Sequence, residues 1–242
     1  MQSHSSSAKL PQAAAPQAAQ DGMIVSAWLT DLPFNWDAVT KGTRTCRFAK
    51  DETLFLEGNA ASTVYAIVDG RIRLTSFAFD GKERHLMIVG PNGLVGDCGL
   101  PSTRTYVVSA VAASDAVVRA IPTERLLAAL GEHPALQAQQ QTLAAMRFRI
   151  MLRHLALQGS NSSRRRVCLH LGDLLHSYGI AHALGRAISI TFTQQEMGSI
   201  CGLSRVSVSH IFSQLEREQV ITRAGRLVVV LDPVRLELLA RT

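Results

Sequence analysis

The sequence predicts an α+β protein in three parts: an N-terminal antiparallel β-roll of the jelly-roll type, a long helix, and a C-terminal helix-turn-helix with a wing. Three observations support this fold class. Short β-branched runs alternate with Asp-Gly turn signals over residues 45–121. Apolar residues then recur every seven positions from Pro134 onward. Two capped helices and a short hairpin follow near the end of the chain.

The composition limits the class of protein. A chain of 242 residues, 47% of them hydrophobic, is long enough for one or two domains with real cores. No run of 18 apolar residues occurs, so we expect no membrane span. Residues 1–22 are rich in Ser, Ala, Gln and Pro and lack the pattern of a secretory signal, which predicts a disordered tail.

The four cysteines and the charge distribution narrow the class further. No cysteine lies in a C-x-x-C pair, so we expect buried thiols in a reducing cytoplasm and no metal site. From Gly159 to Thr242 there are ten Arg and no Lys against six acids. This excess of positive charge makes the last third the better candidate for a polyanion partner such as double-stranded DNA.

Residues 23–133 are predicted to form the β-roll. Asp-Gly between apolar runs is typical of a hairpin, so hairpins are expected at Asp69-Gly70 and at Asp80-Gly81. The segments "TYVVSAVAAS" and "AVVRAIP" add two more strands. Short strands at this spacing indicate an antiparallel barrel or jelly roll, which can enclose a ligand-sized cavity.

A long helix is predicted over residues 134–158, after a short helix in "PTERLLAALGEH". Its apolar positions follow a seven-residue repeat, which is typical of a coiled-coil seam between two chains. The alternative is a single helix that lies on its own β-roll. We favour the dimer, and the predicted interface residues are Leu136, Leu143, Met146, Ile150 and Leu157.

Residues 159–242 are predicted to form the third part. The polar break "QGSNSS" indicates a hinge, after which Ser162 or Ser163 can cap a helix. Thr193 and Glu196 have the spacing of a capping box, and Gly202 separates the helix that they begin from a second helix. A plain αα-hairpin is the alternative to a DNA-binding helix-turn-helix. Because "VITRAGRLVVV" adds a wing that turns at Ala224-Gly225, we favour DNA binding.

The second helix of this pair has an inner and an outer face. The spacing of its apolar residues predicts an inner face of Val208, Ile211, Phe212 and Leu215. The opposite face presents polar residues to the major groove, where a helix can read base edges.

At this point the chain resembles the Crp/Fnr family of bacterial transcription regulators, over residues 25–240. The segments that carry the resemblance are "VYAIVDGRIRL", "GLVGD" and "TQQEMGSICGLSRVSVSHIFSQLE". The resemblance implies a cyclic-nucleotide-binding-like roll, a dimerisation helix and a winged helix. It also implies a homodimeric, sequence-specific regulator that is gated by a small effector and contacts DNA and RNA polymerase in the cytoplasm.

The resemblance assigns roles to residues of the helix pair. Thr193, Gln195, Ser204 and Ser207 correspond to phosphate contacts, and Arg205 corresponds to an arginine that pairs with guanine. Two positions, Val206 and His210, differ from the corresponding residues of the cyclic-AMP-responsive activator. The DNA half-site of this protein should therefore differ from the half-site of that activator. The predicted DNA-binding residues are Thr193, Gln195, Ser204, Arg205, Val206, Ser207, Ser209 and His210.

The resemblance also places an effector cassette in "GLVGDCGLPSTRTYVVSA". The predicted effector residues are Gly96, Asp97, Arg104, Thr105 and Arg147. The acid is one methylene shorter than the family's glutamate, and the adenine-contacting positions hold Met151 and Leu152. Another small effector is therefore favoured, and cyclic AMP or cyclic GMP is the second alternative. The third alternative is that the loop binds no ligand and that Asp97 and Arg104 only fix it by pairing.

Other functions fit the sequence less well. A cupin-like enzyme needs clustered His and Glu, but the predicted strands over residues 45–121 offer only His85, so no catalytic residue is predicted. A haem or iron–sulfur sensor lacks suitably spaced cysteines. Cys98, next to Asp97, is a redox sensor or a packing residue. A module that binds protein instead of DNA would not need the wing and Arg205.

Overall fold

A computed structural model of the chain describes residues 26–77, 83–100, 102–157 and 162–241. The predicted tail, the Asp80-Gly81 turn and most of the predicted hinge lie outside these ranges. A five-stranded sheet and a four-stranded sheet form the N-terminal roll. A long helix follows, and a smaller unit of helices and strands forms the C-terminal part. This architecture confirms the predicted α+β fold class.

The roll contains nine strands and two short helices. In chain order these are β1 (Trp28–Leu29), α1 (Asp37–Thr40), β2 (Arg44–Phe48), β3 (Thr53–Phe55), β4 (Thr63–Asp69), β5 (Ile72–Phe77), β6 (Glu83–Val89), β7 (Leu94–Val95), β8 (Ser109–Ala112), β9 (Ala116–Pro122) and α2 (Thr123–Glu132). One sheet has the order β1-β6-β5-β8-β3, and the other has the order β2-β9-β4-β7. Strand β1 pairs with β6 in parallel, whereas the other pairings within the roll are antiparallel.

One predicted hairpin is corrected. Asp69 and Gly70 do join two strands, but β4 and β5 belong to different sheets and do not pair. Gly70 has φ +79°, and a Cβ atom there would lie 2.1 Å from the carbonyl oxygen of Asp115. The turn is therefore a tight crossing between the sheets, which needs glycine as much as a hairpin does. Around the other predicted turn, β5 and β6 do pair antiparallel.

The long helix α3 spans Pro134–Leu157. It lies on its own chain through the apolar face that was predicted to bind a second chain. The buried side chains are Leu136, Leu143, Met146 and Ile150, of which the last three are fully buried. The side chain of Leu157 lies outside the described set. These four predicted seam residues therefore belong to the core of a single chain, which corrects their assignment to a dimer interface.

Polar positions in the same repeat also serve their own chain. The Oε1 atom of Gln139 accepts a hydrogen bond from the backbone N–H of Asn35 at 2.7 Å. Arg153 donates through Nε to Oδ2 of Asp173 at 2.8 Å. These contacts explain why the seven-residue repeat includes polar residues: they mark where the helix meets the roll and the next helix.

The C-terminal unit combines four helices with a four-stranded sheet. Its elements are α4 (Ser163–Tyr178), β10 (Gly179–His182), β11 (Gly185–Ile188), α5 (Gln194–Cys201), α6 (Arg205–Arg217), β12 (Ile221–Ala224), β13 (Leu227–Val230) and α7 (Pro233–Arg241). The sheet order is β10-β11-β13-β12. As predicted, Ser162 caps α4 by accepting a hydrogen bond from the backbone N–H of Arg165.

The two units are packed together at several points. Trp28 of β1 is fully buried, and its ring packs against His170 of α4 and Phe192, which precedes α5. The hydroxyl of Tyr178 donates a hydrogen bond to the carbonyl oxygen of Trp28 at 2.6 Å and accepts one from the N–H of Thr30 at 3.2 Å. The N-terminal strand is thus fastened to both the roll and α4.

No helix in the described part of the chain has the length and apolar character that a membrane span needs.

Candidate nucleic-acid interface and effector pocket

The capping box at the start of α5 is present as predicted. The Thr193 Oγ1 atom accepts a hydrogen bond from the N–H of Glu196 at 3.0 Å, and the Glu196 Oε2 atom accepts one from the N–H of Thr193 at 2.7 Å. These bonds use two of the N–H groups that a helix start leaves unpaired. Thr193 and Gln195 are exposed on this turn, where the partial positive charge of the helix favours phosphate.

The turn between α5 and α6 depends on two glycines. Gly202 ends α5 in the left-handed region with φ +65°. A Cβ atom on Gly198 would lie 2.7 Å from the carbonyl oxygen of Leu203, so only glycine allows the chain to pass this closely. This geometry fixes the angle between the two helices and confirms the predicted helix-turn-helix.

Helix α6 separates an inner from an outer face. Its predicted inner residues, Val208, Ile211, Phe212 and Leu215, are all buried. The Oγ atom of Ser204 accepts a hydrogen bond from the N–H of Ser207 at 3.1 Å, which caps the helix.

The outer face of α6 holds the predicted base-reading residues. Arg205, Val206 and His210 are exposed, with Val206 78% exposed, and Ser207 and Ser209 are partly exposed. The structure therefore presents the first turns of α6 to solvent in the way that a recognition helix requires.

The wing adds residues that the sequence analysis missed. Strands β12 and β13 pair from Ile221↔Val230 to Ala224↔Leu227, which places Gly225 and Arg226 at the turn. Arg223 and Arg226 are exposed, and both line a cavity of about 600 Å³ together with Thr193, Gln195 and Arg205. The signal was available, because two arginines flank the turn of a hairpin that directly follows the recognition helix.

The charge on this face is poorly neutralised. Among the described residues, the side chains of Arg205 and Arg226 make no ion pair. Arg223 pairs with Glu216 at 3.1 Å and lies 5.8 Å from the centre of the Phe212 ring. Unpaired arginines beside a helix start form a surface to which a polyanion is attracted.

The predicted effector residues do not all come together. Asp97 is 2% exposed, and both of its carboxylate oxygens accept hydrogen bonds from Nη1 of Arg147, at 2.9 and 2.8 Å. Arg147 also donates to the carbonyl oxygen of Leu94 at 2.5 Å. Burial opposes the charge of Arg147, but the nearby Asp97 carboxylate outweighs burial, and the pKa of Arg147 is raised.

Arg104 lies elsewhere. Its guanidinium is 70% exposed and pairs with Glu124 of α2 at 2.9 Å. The sequence alternative in which Asp97 pairs with Arg104 is therefore corrected, because each of them has a different partner. Arg104 adopts φ +52°, and Thr105 forms an isolated β-bridge with Ala60. The backbone at Thr105 is therefore tied to the roll, while the side chain of Arg104 faces solvent.

Gly96 adjoins an aromatic stack inside the roll. The centres of the Phe55 and Tyr106 rings lie 3.8 Å apart, and the Tyr65 ring is stacked with Phe55 at 6.0 Å. A Cβ atom on Gly96 would lie 3.1 Å from Cε1 of Tyr106. Aromatic side chains therefore fill the space next to the cassette glycine. Met151 and Leu152 occupy the positions that correspond to adenine contacts in the family. Met151 is partly buried, and Leu152 is 49% exposed.

The surroundings of Cys98 act on the pKa of its thiol in two opposite directions. Desolvation of its sulfur raises the pKa of the Cys98 thiol, although Arg147 donates to Sγ at 3.3 Å and acts in the opposite direction. A raised pKa disfavours the reactive thiolate. Within the described residues, no three His, Cys, Asp or Glu side chains are grouped so that they could hold a metal ion.

A roll with a ligand cassette, a capped helix pair and a basic wing define the class of DNA-binding regulators with a sensor domain. Residues 45–133 match the family model of the cyclic nucleotide-binding domain. Residues 165–239 match that of the Crp-like helix-turn-helix domain. The chain belongs to the Crp/Fnr family of transcription regulators.

Individual relatives are similar over most of their length. The chain is 27% identical over 204 residues to the transcriptional activator protein Anr of Pseudomonas protegens, covering 84% of this chain and 82% of Anr. It is 26% identical over 208 residues to the CRP-like cAMP-activated global transcriptional regulator of Mycobacterium tuberculosis, covering 84% and 91%. The solved structure of FixK2 from Bradyrhizobium japonicum matches with a TM-score of 0.67 at 24% identity, covering 81% and 96%, which supports the fold.

Proposed function

We propose that this protein is a homodimeric regulator that binds a specific DNA sequence and is gated by a small effector in the β-roll. The observation that carries the proposal is the exposed first part of α6, where Arg205, Val206 and His210 project from a helix that Ser204 caps. We propose no catalytic activity, because binding DNA and an effector needs no catalytic group. We place its action in the cytoplasm, where it would meet promoters and RNA polymerase.

The DNA contacts divide into two kinds. Arg205 would pair with guanine in the major groove, because its guanidinium can donate two hydrogen bonds to O6 and N7. Val206 would pack against a thymine methyl group, since it cannot accept a hydrogen bond from cytosine. Thr193, Gln195, Ser204, Ser207 and the wing residue Arg226 would contact phosphates and so position the helix.

The homodimer uses a different face of α3 from the one that the sequence suggested. An exposed stripe runs along the helix opposite its buried face, and it repeats with alternating steps of three and four residues. Phe148, Leu152 and Leu155 are 64%, 49% and 60% exposed. The stripe consists of Ala138, Gln141, Ala145, Phe148, Leu152 and Leu155. Pairing two such stripes would place two winged helices about 34 Å apart on one face of DNA.

The effector is proposed to be a molecule other than a cyclic nucleotide. A nucleotide ribose needs an accessible carboxylate, but Asp97 is 2% exposed and both of its oxygens already accept hydrogen bonds from Arg147. A cyclic phosphate needs a cation inside the pocket, but Arg104 is exposed and paired with Glu124. The cyclic nucleotide is the second candidate, because the family model that matches residues 45–133 describes a cyclic nucleotide-binding domain.

The DNA assignment is tested by the Arg205→Ala variant. Loss of a bidentate contact to guanine is expected to weaken specific binding by about 1–3 kcal/mol, or roughly tenfold to hundredfold. The measurement is a gel-shift titration against a duplex recovered by in vitro selection with the wild-type protein. Arg217→Ala is the matched control, because Arg217 lies at the far end of the same helix and donates to the carbonyl oxygen of Ser213. Unchanged affinity in Arg205→Ala would refute the proposed recognition helix.

A further inference from the structure

Arg223, on the first strand of the wing, is held by the recognition helix. Its Nε atom lies 3.1 Å from Oε1 of Glu216, near the C-terminal end of α6. Its guanidinium carbon lies 5.8 Å from the centre of the Phe212 ring, which is buried on the inner face of the same helix. A carboxylate at one edge and an aromatic ring beside the plane together restrict where a guanidinium can point.

The pair with Glu216 leaves part of the guanidinium available. The contact uses Nε, and within the described residues the Nη groups of Arg223 have no hydrogen-bond or ion-pair partner. The side chain is 51% exposed. Because arginine presents its N–H donors in a planar fork, it can pair with a carboxylate along one edge and donate to a phosphate along another.

The strand turns Arg223 toward the other proposed DNA contacts. Arg223 is paired with Val228 across the wing, and both residues line the cavity of about 600 Å³. Arg205 of the recognition helix and the proposed phosphate contacts Thr193 and Gln195 line the same cavity. The available edge of Arg223 therefore lies on the face of the winged helix that is proposed to meet DNA.

Glu216 also counters repulsion between the cations of this face. Arg205 and Arg226 line the same cavity, and among the described residues neither makes an ion pair. Like charges repel one another, so an unrestrained Arg223 side chain would favour positions away from these two arginines. The pair with Glu216 keeps the third cation beside them.

We propose that Arg223 is a further phosphate contact of the wing and that Glu216 is the residue that positions it. The guanidinium is held in place before DNA arrives, which reduces the side-chain ordering that binding requires. The inference rests on the proposed function, because it adds a contact to the same DNA-binding surface.

The phosphate contact is tested with Arg223→Gln in the full chain. Loss of one phosphate contact should lower the slope of log affinity against log salt concentration by about 0.9. Between about 50 and about 200 mM salt, the loss of affinity should therefore be about 3.5-fold smaller in the variant than in the wild type. At a fixed salt concentration, affinity should fall by the same factor on the selected duplex and on one with its guanines replaced, because a phosphate contact carries no sequence information.

Arg241→Gln is the matched control. It removes the same charge from an exposed ion pair with Glu237 on α7, and neither residue lines the cavity. Its salt slope should equal that of the wild type, and an equal drop in both variants would show an effect of net charge alone. That result would overturn the phosphate contact, as would an unchanged slope in Arg223→Gln. A loss confined to the selected duplex would also overturn it, because Arg223 would then read a base.

The positioning role of Glu216 is tested by a double-mutant cycle. The cost of Arg223→Gln in affinity is measured in the wild type and in Glu216→Ala. If Glu216 positions Arg223, the cost should be smaller in Glu216→Ala, where the guanidinium is already unrestrained. If Glu216 only neutralises Arg223, the cost should be larger there, because the released charge attracts DNA. An equal or larger cost would overturn the positioning role.

The outcomes separate this inference from the proposed function. Specific binding with an unchanged salt slope in Arg223→Gln overturns the inference and leaves the function in place. Equal binding to all duplexes overturns the sequence-specific function, while the salt slopes still decide whether Arg223 contacts phosphate. A wild-type protein that binds no duplex overturns both.

Discussion

Asp97 and Arg147 show how a single contact can change the chemistry of a pocket. Both side chains are buried, and each satisfies the other at hydrogen-bond distance. Breaking such a pair leaves an uncompensated buried charge, which typically costs about 3–5 kcal/mol. A ligand that displaces Arg147 from the Asp97 carboxylate must therefore offset this cost.

This cost leads to a prediction for cyclic nucleotides. In a calorimetric titration of the wild-type protein, cyclic AMP and cyclic GMP should give no binding heats at micromolar concentrations. The physical reason is that Asp97 is 2% exposed and already paired with Arg147, whereas the Arg104 guanidinium is 70% exposed and faces solvent.

A control variant makes this titration informative. Arg147→Gln removes the guanidinium from Asp97, so any nucleotide binding that the pair blocks should increase in it. Saturable micromolar heats in the wild type would contradict the proposal and would restore the cyclic nucleotide as effector.

At the scale of elements, helix α3 carries two stripes, one on each side. The stripe with the stronger aliphatic pattern, including Leu143 and Ile150, is buried on its own chain, while Phe148, Leu152 and Leu155 remain exposed. A seven-residue repeat establishes that one face of a helix is buried, but the repeat does not say what covers it. The sequence therefore predicts the helix well and its partner poorly.

The two stripes can be told apart by substitution. Phe148→Asp with Leu152→Asp should give folded monomers, because it places charges on the exposed face where the second chain is proposed to pack. Leu143→Asp with Ile150→Asp should instead unfold the chain, since both side chains are fully buried and an unpaired buried charge is costly.

Light scattering measures the mass of each variant, and circular dichroism measures its helix content. A folded dimer in the Phe148 and Leu152 variant would refute the reassigned interface. A folded monomer in the Leu143 and Ile150 variant would restore the seam that the sequence suggested.

Other elements were predictable because their signals are local. The capping box of Thr193 and Glu196, the Ser204 cap and the Gly202 turn each depend on residues within a few positions of one another. The Asp69-Gly70 turn was located correctly, but its strands enter different sheets. A turn signal fixes where the chain bends and leaves open which strand each arm will pair with.

At the scale of the whole molecule, the junction between the two units contains a buried histidine, His170, and a partly buried one, His154. The His154 and His170 rings meet edge to face at 5.6 Å, and Trp28 packs against His170. Burial, with smaller contributions from His154, Arg153 and Arg166, lowers the pKa of His170 to about 3 from its ordinary value of 6.5. Asp173 lies near this group as well, paired with Arg153.

The lowered pKa predicts that acid destabilises the protein. A histidine that is neutral in the folded state and protonates freely when unfolded makes the unfolded state bind more protons below about pH 6.5. Stability should therefore fall as the pH decreases from about 6.5 toward 3, with His170 contributing a loss of about 1.4 kcal/mol between about pH 7.5 and about pH 5.5.

His170→Phe keeps an aromatic ring at the junction and removes the titrating group. Urea denaturation at both pH values should show a smaller pH dependence in this variant than in the wild type, while the remaining histidines act equally in both. An identical pH dependence in the variant and the wild type would contradict this prediction. It would show that unfolding does not change the protonation of His170 in this pH range.

The sequence by itself determined the elements and the helix-turn-helix, because caps, glycine turns and apolar periodicity act between residues that are close along the chain. The tertiary structure decided the contacts between residues that are far apart in the chain. It placed Arg147 on Asp97, 50 residues away, and Arg71 on Glu196, 125 residues away, and it turned the stronger apolar face of α3 inward. Such pairings depend on which surfaces meet when the elements pack together, so local sequence patterns do not predict them.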